Sequence, residues 1–178
     1  MFSISNFKKL MKYKNIGILI WITGLSGSGK TTLAKKLKPT FSNLYGQTIV
    51  LDGDVLRKSL SLKGYSKTER IANAKKYVKL INIITKQNIN VIISVIGLFH
   101  KIQILNKKVF KNYFEILIKK NIKKLIYTNS KKIYSKKNVW GVDIKPEFPK
   151  KPDLIIKKQI STNKNIDKII KLLEIKFG

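Results

Sequence analysis

The stretch Trp21-Ile-Thr-Gly-Leu-Ser-Gly-Ser-Gly-Lys-Thr-Thr-Leu33 limits what this chain can fold into more than any other. An apolar run, Ile18 to Ile22, enters a glycine-rich turn and leaves it as a helix-forming segment. Gly24, Gly29, Lys30 and Thr31 satisfy the spacing G-x-x-x-x-G-K-S/T at every required position. Glycines let such a loop wrap with its backbone N–H groups turned inward, and a helix starting near Lys30 adds the positive end of its dipole. The result is a cradle for an oligophosphate, formed by Gly24, Leu25, Ser26, Gly27, Ser28, Gly29, Lys30, Thr31 and Thr32. Lys30 is placed to reach the β- and γ-phosphates and the Thr31 hydroxyl to sit on Mg²⁺, so the expected ligand is Mg·ATP or Mg·GTP. A glycine-rich turn that binds nothing has no need of strand, complete motif and helix together.

What receives the phosphate is indicated further on, by Val50-Leu51-Asp52-Gly53-Asp54-Val55-Leu56-Arg57 and Gly64-Tyr65-Ser66-Lys67-Thr68-Glu69-Arg70-Ile71-Ala72-Asn73. Acidic residues are scarce, nine in all, yet Asp52 and Asp54 stand two apart at the end of an apolar run. An acceptor hydroxyl loses a proton as it attacks a γ-phosphate, and a nearby carboxylate can take it; an Asp-Gly turn that merely reverses the chain is the plainer alternative. Of 38 basic residues, Arg57 and Arg70 are the two arginines. A guanidinium grips phosphate or sulfate with a planar fork that an ammonium lacks, so arginine is kept where a fork matters.

With these residues in view, the sequence resembles the adenylylsulfate (APS) kinase family, whose members carry W-x-T-G-L-S-G-A/S-G-K-S/T-T, then D-G-D-x-x-R, then G-F/Y-S-x-x-x-R-x-x-N. The likeness runs from about Ile18 to Ile156 and weakens after residue 96. It implies an α/β P-loop fold of the nucleotide kinase type, with Asp54 and Lys30 as catalytic residues, and Thr31 with Asp52 holding Mg²⁺, Asp52 through water. It further implies an acceptor pocket from Asp54, Arg57, Tyr65, Arg70, Asn73, Ile96, Lys136, Val139 and Trp140, with Tyr65 stacking on a base. ATP and Mg²⁺ are the implied cofactors, a small-molecule nucleotide the implied acceptor, and a homodimer is compatible with it.

The net charge of +29 invites a nucleic-acid reading, since clustered cations neutralise phosphates and release counterions. The lysines, however, are spread over every segment among many Asn and Ile residues, and no nucleic-acid module or aromatic-interleaved basic strip is present. A solvated lysine coat is the expectation, and no specific nucleic-acid partner is expected. There is no cysteine, which suits a reducing cytoplasm. The longest apolar run is far short of the roughly 20 residues a membrane span needs, and no membrane association is expected. Residues 1–16 mix apolar and basic side chains and read as a basic N-terminal extension to a single domain, 17–178.

In order along the chain, the pattern predicts a strand at Ile18–Thr23, a helix from Lys30 to Lys38 stopped by Pro39, and a strand at Thr48–Leu51. Ser66 and Glu69 form a capping box for a helix reaching about Lys86, with Ile71, Ala74, Val78 and Ile81 as its buried stripe. Strands follow at Asn90–Val95 and Tyr113–Ile118, then a basic helix from about Asn121, a short strand at Asp153–Lys157 and an amphipathic helix at Asn165–Phe177. The alternation predicts a mostly parallel five-stranded sheet flanked by helices.

Departures from the family pattern sit at the acceptor side. Where the family has S-x-x-S-P-F/Y-R, this chain has Ser94-Val-Ile-Gly-Leu-Phe-His100, so a histidine stands at an arginine position. A lone histidine is expected here as a surface or packing residue. The family's arginine-aspartate pair is Thr128-Asn129, and the lid is several residues shorter, with Lys136 and Lys137 still able to reach phosphate and Val139 or Trp140 to cover a base. The expected reaction is transfer of the γ-phosphoryl of ATP to the ribose 3′-hydroxyl of a nucleotide 5′-anhydride, adenylylsulfate by default. A kinase of cytidine diphosphoramidate from the capsule-synthesis group is the rival within the class, and a nucleotide binder that has lost catalysis is the rival outside it.

Overall fold

The computed structural model describes residues 16–127, 139–157 and 162–177. Five strands, β1 (Leu19–Gly24), β2 (Thr48–Asp52), β3 (Asn90–Val95), β4 (Tyr113–Ile118) and β5 (Leu154–Ile156), form one sheet in the order β2-β3-β1-β4-β5. Every pairing is parallel. Parallel strands need crossovers, and among the described residues helices lie in them: α1 (Lys30–Tyr45), α2 (Gly53–Ser59), α3 (Lys67–Thr85), α4 (His100–Val109) and α5 (Ile122–Tyr127), while α6 (Thr162–Phe177) follows β5. β1 and β4 are buried along their whole length, as strands covered on both faces should be.

Alternation along β1 divides the core. Leu19 and Trp21 face Ala74, Tyr77, Val78 and Ile81 of α3 and Ile102 of α4. Ile20 and Ile22 face Leu33, Leu37, Phe41 and Tyr45 of α1 and Ile166, Ile169 and Leu173 of α6. The expected stripe on α3 is therefore the buried one, with Tyr77 added and Ile71 at its margin. Because β2 and β3 lie on one side of β1 and β4 and β5 on the other, the strand order reverses beside β1. The carboxyl ends at such a reversal are where open α/β sheets hold ligands.

One expected boundary is corrected. α1 does not stop at Pro39 but continues to Tyr45 with the proline inside it. A proline in a helix interior forfeits one backbone bond and crowds the carbonyl four residues back, at about 3 kcal/mol. Here Pro39 and Lys35 are both on the exposed side, so the orphaned carbonyl faces water. The turn and a half beyond it buries Phe41 and Tyr45 almost completely, their rings stacked at 4.7 Å. Burial of two such side chains contributes roughly 1.5–3 kcal/mol each, which offsets the kink. Asn90 then ties the helix end to the sheet, donating to the Tyr45 carbonyl at 2.9 Å and accepting from the Ile18 N–H at 2.9 Å.

α2 has no counterpart among the sequence expectations, since it opens on a glycine. Its start is fixed by the side chain of Asp52, which accepts from the N–H groups of Asp54 at 2.9 Å and Val55 at 3.4 Å. The capping box at α3 is present as expected, Ser66 taking the Glu69 N–H at 3.3 Å and Glu69 taking the Ser66 N–H at 3.0 Å.

Candidate active site

The loop between β1 and α1 has the conformation its glycines allow. Gly24 sits at φ +151°, and a Cβ there would lie 2.5 Å from the Ile118 carbonyl, so no side chain fits between the loop and β4. α1 starts at Lys30 behind Gly29, and no side chain caps it. Lys30 Nζ lies over the loop, donating to the Leu25 carbonyl at 2.8 Å. The Ser28 hydroxyl is buried with no hydrogen-bond partner among the described residues, a polar orphan that an oligophosphate would satisfy. Gly24 through Thr32 thus form one cradle, as the spacing predicts.

Beside it three oxygens converge. The Thr31 hydroxyl donates to Asp52 Oδ2 at 2.6 Å, Ser94 Oγ donates to the same oxygen at 2.9 Å, and the two hydroxyls are 3.3 Å apart. Burial alone would raise the Asp52 pKa, but these hydroxyls and the two N–H groups of α2 outweigh it and hold the carboxyl below its ordinary value. A hydroxyl and an ionised carboxylate are oxygen donors of the kind Mg²⁺ takes, with phosphate and water completing its shell. The described residues contain no cluster of three or more His, Cys, Asp or Glu that would hold a metal alone.

Asp54, exposed on the first turn of α2, faces a second cluster. Arg57 lies over the Tyr65 ring with Cζ 4.1 Å from its centroid, and Arg70 lies 5.2 Å from it. Arg57 also donates to the Gly64 carbonyl and Arg70 Nε to the Tyr65 carbonyl at 2.7 Å. Burial, and after it the charge of Arg57, lower the Arg70 pKa, while Tyr65 and Asp54 act to raise it. Two guanidinium groups held this close repel each other, and an anion between them would relieve the repulsion. Tyr65 is 56% exposed, so it is a presented ring and not a core tyrosine.

The sequence model of the family described as adenylylsulphate kinase matches residues 16–157. The chain belongs to the adenylylsulfate kinase family. Members are phosphotransferases acting on a hydroxyl group. Cytidine diphosphoramidate kinase of Campylobacter jejuni is 37% identical over 170 residues, covering 91% of this chain and 99% of that one. Adenylyl-sulfate kinase of Buchnera aphidicola from Schizaphis graminum is 30% identical over 182 residues, 96% of this chain and 85% of the relative. The solved APS kinase of Mycobacterium tuberculosis, in complex with AMPPNP and APS, superposes with a TM-score of 0.82 at 26% identity, covering 89% of this chain and 98% of that one.

Not every residue expected at the site of this kinase is presented there. Asn73 is buried, and its amide donates to the Lys63 carbonyl at 3.2 Å, so it braces the 60–65 loop. Ile96 contributes its carbonyl, which accepts from the Thr23 hydroxyl at the end of β1. Val139 and Trp140 are almost fully buried, Trp140 edge-on to Phe99 at 4.8 Å. Gly97 adopts φ +46° against the Trp21 indole, where a Cβ would come within 2.9 Å of the ring. His100 is partly exposed and packs against the 147–148 segment, its ring nitrogen 3.0 Å from the Phe148 carbonyl. Lys136 and Lys137 lie outside the described residues, as do Thr128 and Asn129 and residues 1–15.

Three residues at the site were not among the sequence candidates. Ser94 was visible as the polar end of an apolar strand. Tyr77, whose hydroxyl donates to the Gly53 carbonyl at 3.3 Å between the two aspartates, looks like any stripe residue in sequence. Glu147 carries no local signal. No helix among the described residues is long and apolar enough to cross a membrane.

Proposed function

We propose that this kinase transfers the γ-phosphoryl group of ATP to the ribose 3′-hydroxyl of a nucleotide 5′-anhydride. The observation that carries the reading is the succession of two sites: a glycine-rich loop with Lys30 over it and Thr31 on Asp52, and, two residues beyond Asp52, a carboxylate, Asp54, whose charge acts on Arg70 where it and Arg57 lie over the exposed Tyr65 ring. Asp54 takes the proton of the attacking 3′-hydroxyl as the new O–P bond forms and the bond from the γ-phosphorus to the ADP oxygen breaks. Lys30 and the N-terminus of α1 face the charge that moves onto the leaving oxygen. Thr31 and Asp52 would hold Mg²⁺, which neutralises phosphate charge when bound. Arg57 and Arg70 grip the acceptor's anionic 5′ group, and Tyr65 offers its ring to the base. Positioning of this kind accounts for most of phosphoryl-transfer catalysis.

Cytidine diphosphoramidate is the acceptor we favour, on the likeness to the Campylobacter jejuni kinase over nearly that protein's whole length and on the 97–100 loop, where glycine and histidine replace the serine and arginine of the sulfate enzymes. Adenylylsulfate is the second reading, supported by the family match and by the bound APS of the superposed structure. Side-by-side turnover of both acceptors in a coupled ADP-release assay tests the choice. A higher kcat/KM with the cytidine anhydride is expected, and a strong preference for adenylylsulfate would reverse it.

A further inference from the structure

Glu147 makes contacts that neither nucleotide binding nor core packing asks for. Its Oε1 takes Lys67 Nζ at 2.5 Å and its Oε2 takes the backbone N–H of His100 at 2.8 Å. Its own N–H donates to the Leu98 carbonyl at 3.0 Å, and its carbonyl accepts from Gln103 Nε2 at 2.8 Å. The two ends of this carboxylate rest on the first residues of two helices. α4 begins behind Phe99, which has no side chain able to cap it. Glu147 supplies, from 47 residues away, the acceptor oxygen that a helix start ordinarily takes from its own Asp or Ser, and brings a negative charge with it. Lys67 opens α3, one residue after the cap Ser66 and three before Arg70.

These helix starts adjoin the two segments that the proposed function puts on either side of the acceptor. One side is Tyr65 and Arg70; the other is the 96–99 loop, whose Ile96 carbonyl is tied to Thr23 and whose Phe99 packs on Trp140. In a chain with nine acidic residues, one is used to join them. A surface ion pair contributes little to stability, so what this one supplies is geometry. We propose that Glu147 is a positioning residue for the acceptor: a single carboxylate fixes the spacing between the Tyr65–Arg70 turn and the 96–99 loop. What the two sides bind rests on the reading given under Proposed function.

The test compares the full chain with Glu147→Gln, Glu147→Ala and Lys67→Met, by amide hydrogen exchange without substrates and by kinetics with cytidine diphosphoramidate and adenylylsulfate. Faster exchange is expected in Glu147→Ala at 66–71 and 98–103, with the phosphate loop, 24–33, unchanged. Its acceptor KM rises about tenfold, the loss of one charge-assisted hydrogen bond, while the ATP KM stays put. Glu147→Gln keeps an oxygen for the His100 N–H and recovers most of the exchange protection at 98–103, leaving a defect like that of Lys67→Met. Unchanged exchange at both segments, or equal rises in both KM values, would overturn the proposal. Should the wild-type chain turn over neither acceptor, the proposed reaction falls, and the exchange pattern alone still decides whether Glu147 holds the two segments.

Discussion

In the proposed reaction Asp54 accepts a proton and Lys30 stabilises negative charge, and substitutions separate the two. Lys30→Ala is expected to abolish measurable turnover, with a loss of at least roughly a hundred- to a thousandfold for removing a donor aimed at developing charge. Asp54→Asn should lower kcat by about 10²- to 10⁴-fold yet leave the affinity for a non-hydrolysable ATP analogue unchanged by calorimetry; a weakened affinity would place Asp54 in nucleotide binding. These residues were legible because each belongs to a short motif whose spacing the chemistry dictates. Asp52 was half legible: its pairing with Thr31 fits what the family resemblance implies, but its second task, capping α2 through the Asp54 and Val55 N–H groups, does not follow from it. Arg57 and Arg70 stood out against the lysines, although their stacking on Tyr65 from both neighbouring helices is a tertiary fact. For Trp140 sequence gives no such handle, since an aromatic residue near a lid reads the same whether it covers a base or packs on Phe99, the contact it makes here.

At the scale of the element, α1 and α3 show where pattern and packing agree and where packing wins. The capping box of α3 is a local device, so sequence finds its position to the residue. Ser66→Ala should destabilise by about 1 kcal/mol, read as a lowered denaturant midpoint with an unchanged slope. α1 overrides its own proline because the apolar face continues through Phe41 and Tyr45 into a core that sequence alone does not display. Pro39→Ala restores the interior hydrogen bond at the expense of a more flexible unfolded chain. A net gain of roughly 1–2 kcal/mol is expected from the proline penalty in helices less the lost unfolded-state restriction, with activity unaffected. A loss of stability would mean that the kink itself is needed for packing. The strands β3 and β4 were legible to the residue, being unbroken apolar runs bounded by polar residues, whereas α2 was not, because its start depends on a side chain preceding a glycine.

For the molecule as a whole, one buried acid sets a pH dependence. Glu115 lies in the middle of β4 with no exposure, accepting from the Tyr113 hydroxyl at 3.1 Å on Oε1 while Oε2 has no partner among the described residues. Burial raises its pKa, against the pull of the Tyr113 hydrogen bond and of Lys107. The folded chain therefore keeps a proton that the unfolded chain releases. The contribution is whole below the ordinary value of 4.5 and is lost as pH rises through the raised folded value. Thermal unfolding should show stability falling across that window, and Glu115→Gln should flatten the fall; parallel curves would show that Glu115 ionises as freely in the fold as out of it. The fold also decides what the site can do, since the reversal of strand order beside β1 brings the phosphate loop and Asp52 to one rim of the sheet. The most direct measurement of the central claim is ATP turnover with and without cytidine diphosphoramidate or adenylylsulfate, the product being located by phosphorus NMR. The account predicts ADP release that depends on the acceptor and a new phosphate on its 3′-oxygen; tight ATP binding with no acceptor-dependent ADP release would contradict it.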